Sequence, residues 1–198
     1  MDFRRTRLHS VSGDLSGLPP PTRPEVVIVG RSNVGKSSLV NALGDNRTLS
    51  RTSRIPGKTR LVLAFDVDGA LLLVDLPGYG YARVGQEDRR RFSELTDGYL
   101  HEKRDLRLAL HLVDIRHAPS AEDLLMRSWL VARGLPTVTV LTKADKLTRR
   151  ETQAQEKAIR AALALADGDP AVVFSAETRA GVDALRALIA ERTRSVAG

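Results

Sequence analysis

The octapeptide GRSNVGKS at residues 30–37 constrains this chain more than any other feature. It has the form G-x-x-x-x-G-K-[ST]. It follows the apolar run EVVIVG (25–30) and precedes a helical pattern from Lys36 to Leu43 that Gly44 closes. A strand, a glycine-rich turn and a helix in that order build a loop whose backbone N–H groups face phosphate oxygens. Gly30 and Gly35 let the backbone wrap, Lys36 can neutralise β- and γ-phosphate oxygens, and Ser37 offers a hydroxyl to Mg²⁺. A loop of this kind needs a twisted, mostly parallel sheet, because ligands of such sheets sit at the carboxyl ends of the strands.

The remainder of the chain has that grain. TRLVLAFDV (59–67) and ALLLVD (70–75) flank Asp68-Gly69, a dipeptide that favours a tight hairpin and so an antiparallel pair. LRLALHLVDI (106–115), TVTVLT (137–142) and AVVFS (171–175) are further strands, each preceded by a helical segment. Ser120 with Asp123, and Thr148 with Glu151, have the spacing of capping boxes, and Val182, Leu185 and Ile189 share one face of a last helix. The expectation is an α/β fold with a six-stranded, mostly parallel sheet, one antiparallel strand, and helices on both faces. Residues 1–24 read as a basic N-terminal arm (Arg4, Arg5, Arg7) and a stiff lead-in, LPPPTRP; residues 25–198 read as a single nucleotide-binding domain.

Composition narrows the chemistry. The chain contains no cysteine, which excludes disulfides, thiolate catalysis and Cys-based metal sites. No apolar run reaches the roughly 20 residues of a membrane span and MDFRRTRLHS lacks the apolar block of a signal peptide, so a cytoplasmic protein without a membrane partner is expected. The net charge of +7 suits polyanionic partners such as RNA, and equally suits the Arg-rich, Ala-rich composition that a GC-rich genome produces. No exposed apolar repeat suggests an oligomer, so a monomer is expected.

TKAD (142–145) selects the base. Asp145 can accept hydrogen bonds from both N1–H and the exocyclic amino group of guanine, a donor pair that adenine lacks. Lys143 can cover the base with its aliphatic stem, and the backbone amide of Ala176 in FSA (174–176) can meet the guanine carbonyl. Asp75 and Gly78, in Asp-x-x-Gly at a strand end, suit a water-mediated Mg²⁺ contact and an amide aimed at the γ-phosphate. RTSRIPGKTR (51–60) has the makings of a switch whose Thr59 hydroxyl reaches Mg²⁺ when the γ-phosphate is present.

Taken together, RPEVVIVGRSNVGKSSLVNAL, PGKTR, DLPGYGYA, LVDIRHAPSAEDLLMRSWL and LTKADKL resemble the EngB (YihA/YsxC) family of bacterial GTPases, in the TrmE-Era-EngA-EngB-Septin-like class. The resemblance runs from about Leu18 to the C-terminus. It implies a Ras-like P-loop fold and slow hydrolysis of GTP to GDP as a switch in assembly of the large ribosomal subunit, linked to cell division and septation. The partners implied are GTP or GDP and the large subunit or its precursor.

The residues that would surround the nucleotide by this similarity are Gly30, Arg31, Ser32, Asn33, Val34, Gly35, Lys36 and Ser37; Gly57, Lys58, Thr59, Arg60 and Leu61; Asp75, Leu76, Pro77 and Gly78; Thr142, Lys143, Ala144 and Asp145; and Phe174, Ser175 and Ala176. Lys36, Thr59 and Gly78 would serve catalysis, and Ser37 and Thr59, with Asp75 through water, would hold Mg²⁺. Phe92 and Leu95 stand where the family has a tryptophan, a change that bears on a partner surface, and Ser-Ala stands where Ser-Ser is frequent.

Tyr79 occupies the position where many GTPases keep a water-orienting glutamine. Its ring is expected to turn away from the phosphate, leaving transition-state stabilisation to K⁺ near Asn33 or to the ribosome. Asn33 has a second reading, a small residue tolerating a tight turn, and its residue type favours that one. His111 and His117 read as structural. Trp129 is expected to pack against the sheet, with Leu125 on the same helix face. Two other functions remain open to a chain of this composition: a septation regulator working through a protein partner, and a passive RNA-binding module that keeps a nucleotide for stability.

Overall fold

The computed structural model describes residues 1–50, 61–79 and 95–194. Among these residues, seven strands form one sheet: β1 (Thr6–Ser12), β2 (Glu25–Gly30), β3 (Val62–Val67), β4 (Leu71–Asp75), β5 (Leu106–Asp114), β6 (Thr137–Thr142) and β7 (Ala171–Val173), in the order β1-β3-β4-β2-β5-β6-β7. The helices are α1 (Lys36–Leu43), α2 (residues 95–101), α3 (Ala121–Ala132), α4 (Arg149–Ala162) and α5 (Val182–Thr193). β3 pairs antiparallel with both β1 and β4, and all other pairings are parallel, so β3 alone runs against the rest.

Every residue of β2, β3 and β4 is buried, as befits strands covered on both faces. Alternate side chains of β2 sort the core. Val26 and Ile28 pack with Leu39 and Leu43 of α1 and with Leu185 and Ile189 of α5. Val27 and Val29 pack with Tyr99 and Leu100 of α2 and Leu130 of α3 on the other face. Val113 and Leu141 meet Ile159 of α4 and Leu163, which caps its C-terminus. The β3–β4 hairpin turns at Asp68 (φ 53°) and Gly69 (φ 69°), both left-handed as its tight turn requires. Both capping boxes form as their spacing predicts.

The sheet has seven strands where the sequence suggested six, because part of the segment read as an arm is β1, paired with β3 from Thr6↔Val67 to Ser12↔Val62. TRLHSVS carries no apolar alternation and buries only its two ends, so its strand state comes from the open edge of β3. The arginines of the N-terminal segment are paired: Arg7 with Asp66 at 3.1 Å, Arg5 with Asp68 at 3.2 Å and Arg4 with Asp2 at 3.3 Å. The lead-in is also built in. Leu15 and Leu18 pack against the second face of the core, and Arg104 donates to the Pro19 carbonyl at 2.7 Å.

Arg104 anchors that end of the sheet. Its side chain is 2% exposed and the Glu25 side chain 0%. Its Nε lies 2.9 Å from Glu25 Oε2 and its Nη2 2.8 Å from Oε1. The Tyr99 hydroxyl donates to the same carboxylate, and the guanidinium lies 4.8 Å from the Tyr99 ring centroid. Strand, lead-in and α2 thus share one charge-assisted network.

Trp129 packs half-buried against the second face of the core, as expected, with the Arg133 guanidinium 4.3 Å from its ring centroid. Leu125 departs from the expected shared face and is 70% exposed. Leu95, in α2, is buried in the same core cluster; Phe92 lies outside the described residues. No helix among the described residues is long and apolar enough to cross a membrane.

Candidate functional site

The carboxyl ends of β2, β4, β6 and β7 gather Gly30–Ser37, Asp75–Gly78, Thr142–Asp145 and Phe174–Ala176 on one rim of the sheet. Gly57, Lys58, Thr59 and Arg60 lie outside the described residues, and Leu61 packs half-buried against the core.

After β2 the chain turns through Asn33, in the left-handed region at φ 60°, and Gly35, at φ 117°. Gly35 is the N-cap of α1 and provides no side-chain cap, so the first amides of α1 stay open to a ligand, where the helix dipole also favours an anion. The conformation of Asn33 is one that asparagine tolerates, and its carbonyl accepts from Lys143 Nζ at 2.9 Å. A turn role therefore accounts for this residue without a cation.

Lys36 is half-buried, and its Nζ donates to the Gly30 carbonyl at 3.4 Å. Desolvation pushes its pKa down, against the attraction of Asp75. Asp75 is pushed up to about 6 by burial, with Lys36 opposing. Asp75 Oδ1 and Ser32 Oγ are buried without a hydrogen-bond partner among the described residues. An orphaned carboxylate oxygen within the field of Lys36, with the Ser37 hydroxyl next along the chain, is a donor set that suits a hard, oxygen-loving cation, and a desolvated lysine suits phosphate.

Gly78 lies directly against this loop. A Cβ there would meet Lys36 Nζ at 2.7 Å and the Ser32 nitrogen at 3.0 Å, so a side chain would displace the lysine and push the two segments slightly apart. Leu76 and Pro77 are buried, so only their backbone remains for a ligand. The Tyr79 carbonyl accepts from the Ser32 N–H at 2.8 Å. Its hydroxyl lies 2.9 Å from Asp123 Oδ1 and 3.0 Å from His111 Nε2. Neither partner was legible beforehand, since 32 and 44 residues separate them from Tyr79.

His111 is fully buried, and burial pushes its pKa down to about 4, with Asp123 opposing and Arg127 assisting. Because the folded value lies below the unfolded 6.5, the unfolded chain binds the proton first. This contribution to stability is complete above about 6.5 and is lost as pH falls towards 4. The loss should be on the order of 3 kcal/mol at about 1.4 kcal/mol per pH unit. Urea titrations at pH 7 and pH 4.5 should show it in the native chain and not in His111→Gln; parallel losses in the two proteins would refute it.

At the other end of the rim, Thr142 Oγ1 donates to the Val34 carbonyl at 2.8 Å. Lys143 Nζ lies 2.9 Å from Asp114 Oδ2 while it holds the Asn33 carbonyl, so one lysine ties β6 to the loop and to β5. Burial works to raise the pKa of Asp114, but hydrogen bonds from Arg116 and Lys143 outweigh it and hold the carboxyl well below the usual range. A cavity of about 200 Å³ opens beside the loop, lined among others by Arg31, Asn33, Asp114, His117, Asp123 and Lys143.

Asp145 Oδ1 accepts from Ser175 Oγ at 2.8 Å, and Oδ2 lies 3.0 Å from Lys146 Nζ. The Ser175 hydroxyl is the main cause of a lowered Asp145 pKa. Phe174 is a core side chain whose carbonyl accepts from the Ala144 N–H at 3.1 Å, and Ala176 is half-buried beyond it. Orientation of Asp145 by buried Ser175 is a role that no spacing in the sequence announces. The arrangement offers an ionised, fixed two-oxygen acceptor at one end of the rim and amides with a lysine at the other.

A family model described as 50S ribosome-binding GTPase matches residues 25–143. A probable GTP-binding protein EngB of Syntrophomonas wolfei subsp. wolfei is 39% identical over 191 residues, covering 96% of this chain and 98% of that protein. One from Syntrophus aciditrophicus is 44% identical, covering 92% and 90%. Among solved structures, a probable GTP-binding protein EngB superposes with TM-score 0.73 at 21% identity, covering 86% of this chain and 98% of the other. A variant of Aquifex aeolicus Era bound to GDP.AlF4- superposes with TM-score 0.68 at 21% identity, covering 88% and 58%. Similarity at this level along nearly the whole length, on a sheet that carries a P-loop in its middle, makes the chain a P-loop GTPase and a member of the EngB family of GTP-binding proteins.

Proposed function

We propose that this GTPase uses the rim of the sheet as its GTP site and acts as a switch in assembly of the bacterial large ribosomal subunit, with a consequent link to cell division and septation. The observation that carries the reading is the joint match to EngB relatives and to the 50S ribosome-binding GTPase model. The loop from Gly30 to Ser37 cradles the phosphates, and the desolvated Lys36 meets the β/γ oxygens. The Gly78 amide faces the γ-phosphate; Asp145, held by Ser175, reads the guanine edge, with Lys143 over the base and the Ala176 amide on its carbonyl.

Ser37, Thr59 and Asp75 through water would hold Mg²⁺, which when bound neutralises charge that develops on the phosphate oxygens. Asp75, raised to about 6 in the protein alone, is mostly ionised at neutral pH and available to such a cation. The Tyr79 hydroxyl is engaged by Asp123 and His111 rather than free to orient water. Intrinsic hydrolysis is therefore slow, and the docked ribosomal subunit supplies the missing stabilisation. The protein works as a cytoplasmic monomer.

Single-turnover GTP hydrolysis measured with and without purified large subunits tests this. The rate should rise by roughly two orders of magnitude or more with the subunit, the scale on which GTPase partners act. No acceleration despite demonstrated binding would sink the switch reading and favour a septation regulator with a protein partner. Subunit affinity should also fall steeply with salt if the contacts are to RNA.

A further inference from the structure

Tyr79 is tied down at both ends. Its carbonyl accepts from the Ser32 N–H at 2.8 Å, and its hydroxyl donates to Asp123 Oδ1 at 2.9 Å. Asp123 is itself immobile. Its other oxygen, Oδ2, accepts from the Ser120 N–H and hydroxyl, both at 2.9 Å, closing the capping box of α3, and its side chain is almost fully buried. A carboxylate can only accept, so the single tyrosine proton goes to Asp123. His111 must then donate its Nε2–H to the phenolic oxygen at 3.0 Å, which leaves Nδ1 as the unprotonated nitrogen, and Nδ1 is the buried His111 atom without a partner. Both partners sit on rigid elements, β5 and the start of α3.

One peptide bond separates this anchor from Gly78, which packs directly against Lys36 and Ser32. Glycine has the widest backbone freedom of any residue, so an amide carried by it is well aimed only if its neighbours are fixed. We propose that Asp123 and His111, acting through the Tyr79 hydroxyl, are positioning residues that hold the Gly78 amide aimed for the γ-phosphate, so that preference for GTP over GDP depends on this latch. The inference rests on the nucleotide site proposed above. GDP has no γ-phosphate and does not use the Gly78 amide. The latch should therefore act on one nucleotide and not on the other, which a purely structural bond would not do.

The test is Tyr79→Phe in the full chain, with dissociation constants for GDP and for a non-hydrolysable GTP analogue measured in Mg²⁺. GDP affinity should stay within about twofold, and analogue affinity should fall roughly tenfold, the scale of one lost hydrogen bond to a charged group. Equal losses for both nucleotides, or none for either, would overturn the proposal. Leu130→Ala is the control: it loosens α3 against the core without removing a bond to Tyr79, His111 or Asp123, so it should lower Tm without moving the GTP-to-GDP ratio. An equal change of ratio in Leu130→Ala would reduce the effect to general loosening of α3 and also overturn the latch.

Tyr79→Phe strands a buried carboxylate. If it folds poorly, Tyr79→Phe with Asp123→Asn removes the stranded charge and should show the same loss of preference; an unchanged preference there counts against the latch. Failure of the native chain to bind either nucleotide would instead refute the site itself.

Discussion

The Asp145→Asn substitution is expected to weaken GTP binding by at least about a hundredfold and to make xanthosine triphosphate the better ligand. The carboxylate of Asp145 has both oxygens as acceptors, oriented by Ser175 Oγ and kept ionised by it and by Lys146. Guanine would present two N–H donors to it. In the variant, one acceptor becomes an NH₂ that faces a guanine donor, so two charge-assisted bonds are lost and one repulsion is gained. Each such bond contributes about 1.5–3 kcal/mol, which sets the scale of the loss. Xanthine has a carbonyl at C2 and can accept from the new amide, while Ser175 can still donate to the remaining oxygen. Competition between the two nucleotides on native and Asp145→Asn protein reads this directly, and unchanged GTP affinity would mean that the base is recognised elsewhere.

The largest effect on stability is expected from Arg104→Met. Glu25 is fully buried, and Arg104 is its only cationic partner among the described residues. Removing the guanidinium leaves that charge with the Tyr99 hydroxyl as its remaining side-chain partner among the described residues, and frees the Pro19 carbonyl. Breaking one side of a buried pair costs about 3–5 kcal/mol, against a total stability of about 5–15 kcal/mol for a domain. The urea midpoint should fall accordingly with little change in slope. Arg104→Met combined with Glu25→Leu should regain most of the loss, because desolvation no longer has a charge to act on. A single variant within about 1 kcal/mol of the native chain would show that water reaches Glu25. Nucleotide binding offers an independent check on fold integrity, since the pair sits at the opposite end of β2 from the P-loop.

Much of this molecule is local, and so is legible in its sequence. The loop from Gly30 to Ser37 between β2 and α1, the hairpin at Asp68-Gly69, the two capping boxes and the inward face of α5 each depend on residues within a few positions of one another. Backbone geometry decides them before any tertiary contact forms. The position of Asp75, Gly78 and Asp145 at strand ends follows from the same alternation of strands and helices.

Other features were invisible for the opposite reason. β1 is a strand because β3 has an open edge, Asp66 pairs with its Arg7 and Asp68 with Arg5 just before it, not because TRLHSVS prefers an extended state. Ser175 acquires its function from Asp145, thirty residues away. Asp123 looks in the sequence like a helix cap and nothing more, and only the fold brings the Tyr79 hydroxyl to its second oxygen. The sequence alone determined that a phosphate loop sits in the middle of an α/β sheet and which base it serves best, since those depend on short-range stereochemistry and on residue type. Which polar groups share a buried bond was decided only by the tertiary structure, because a desolvated hydrogen bond needs two partners brought together by the packing of whole elements, and no spacing along the chain encodes that meeting.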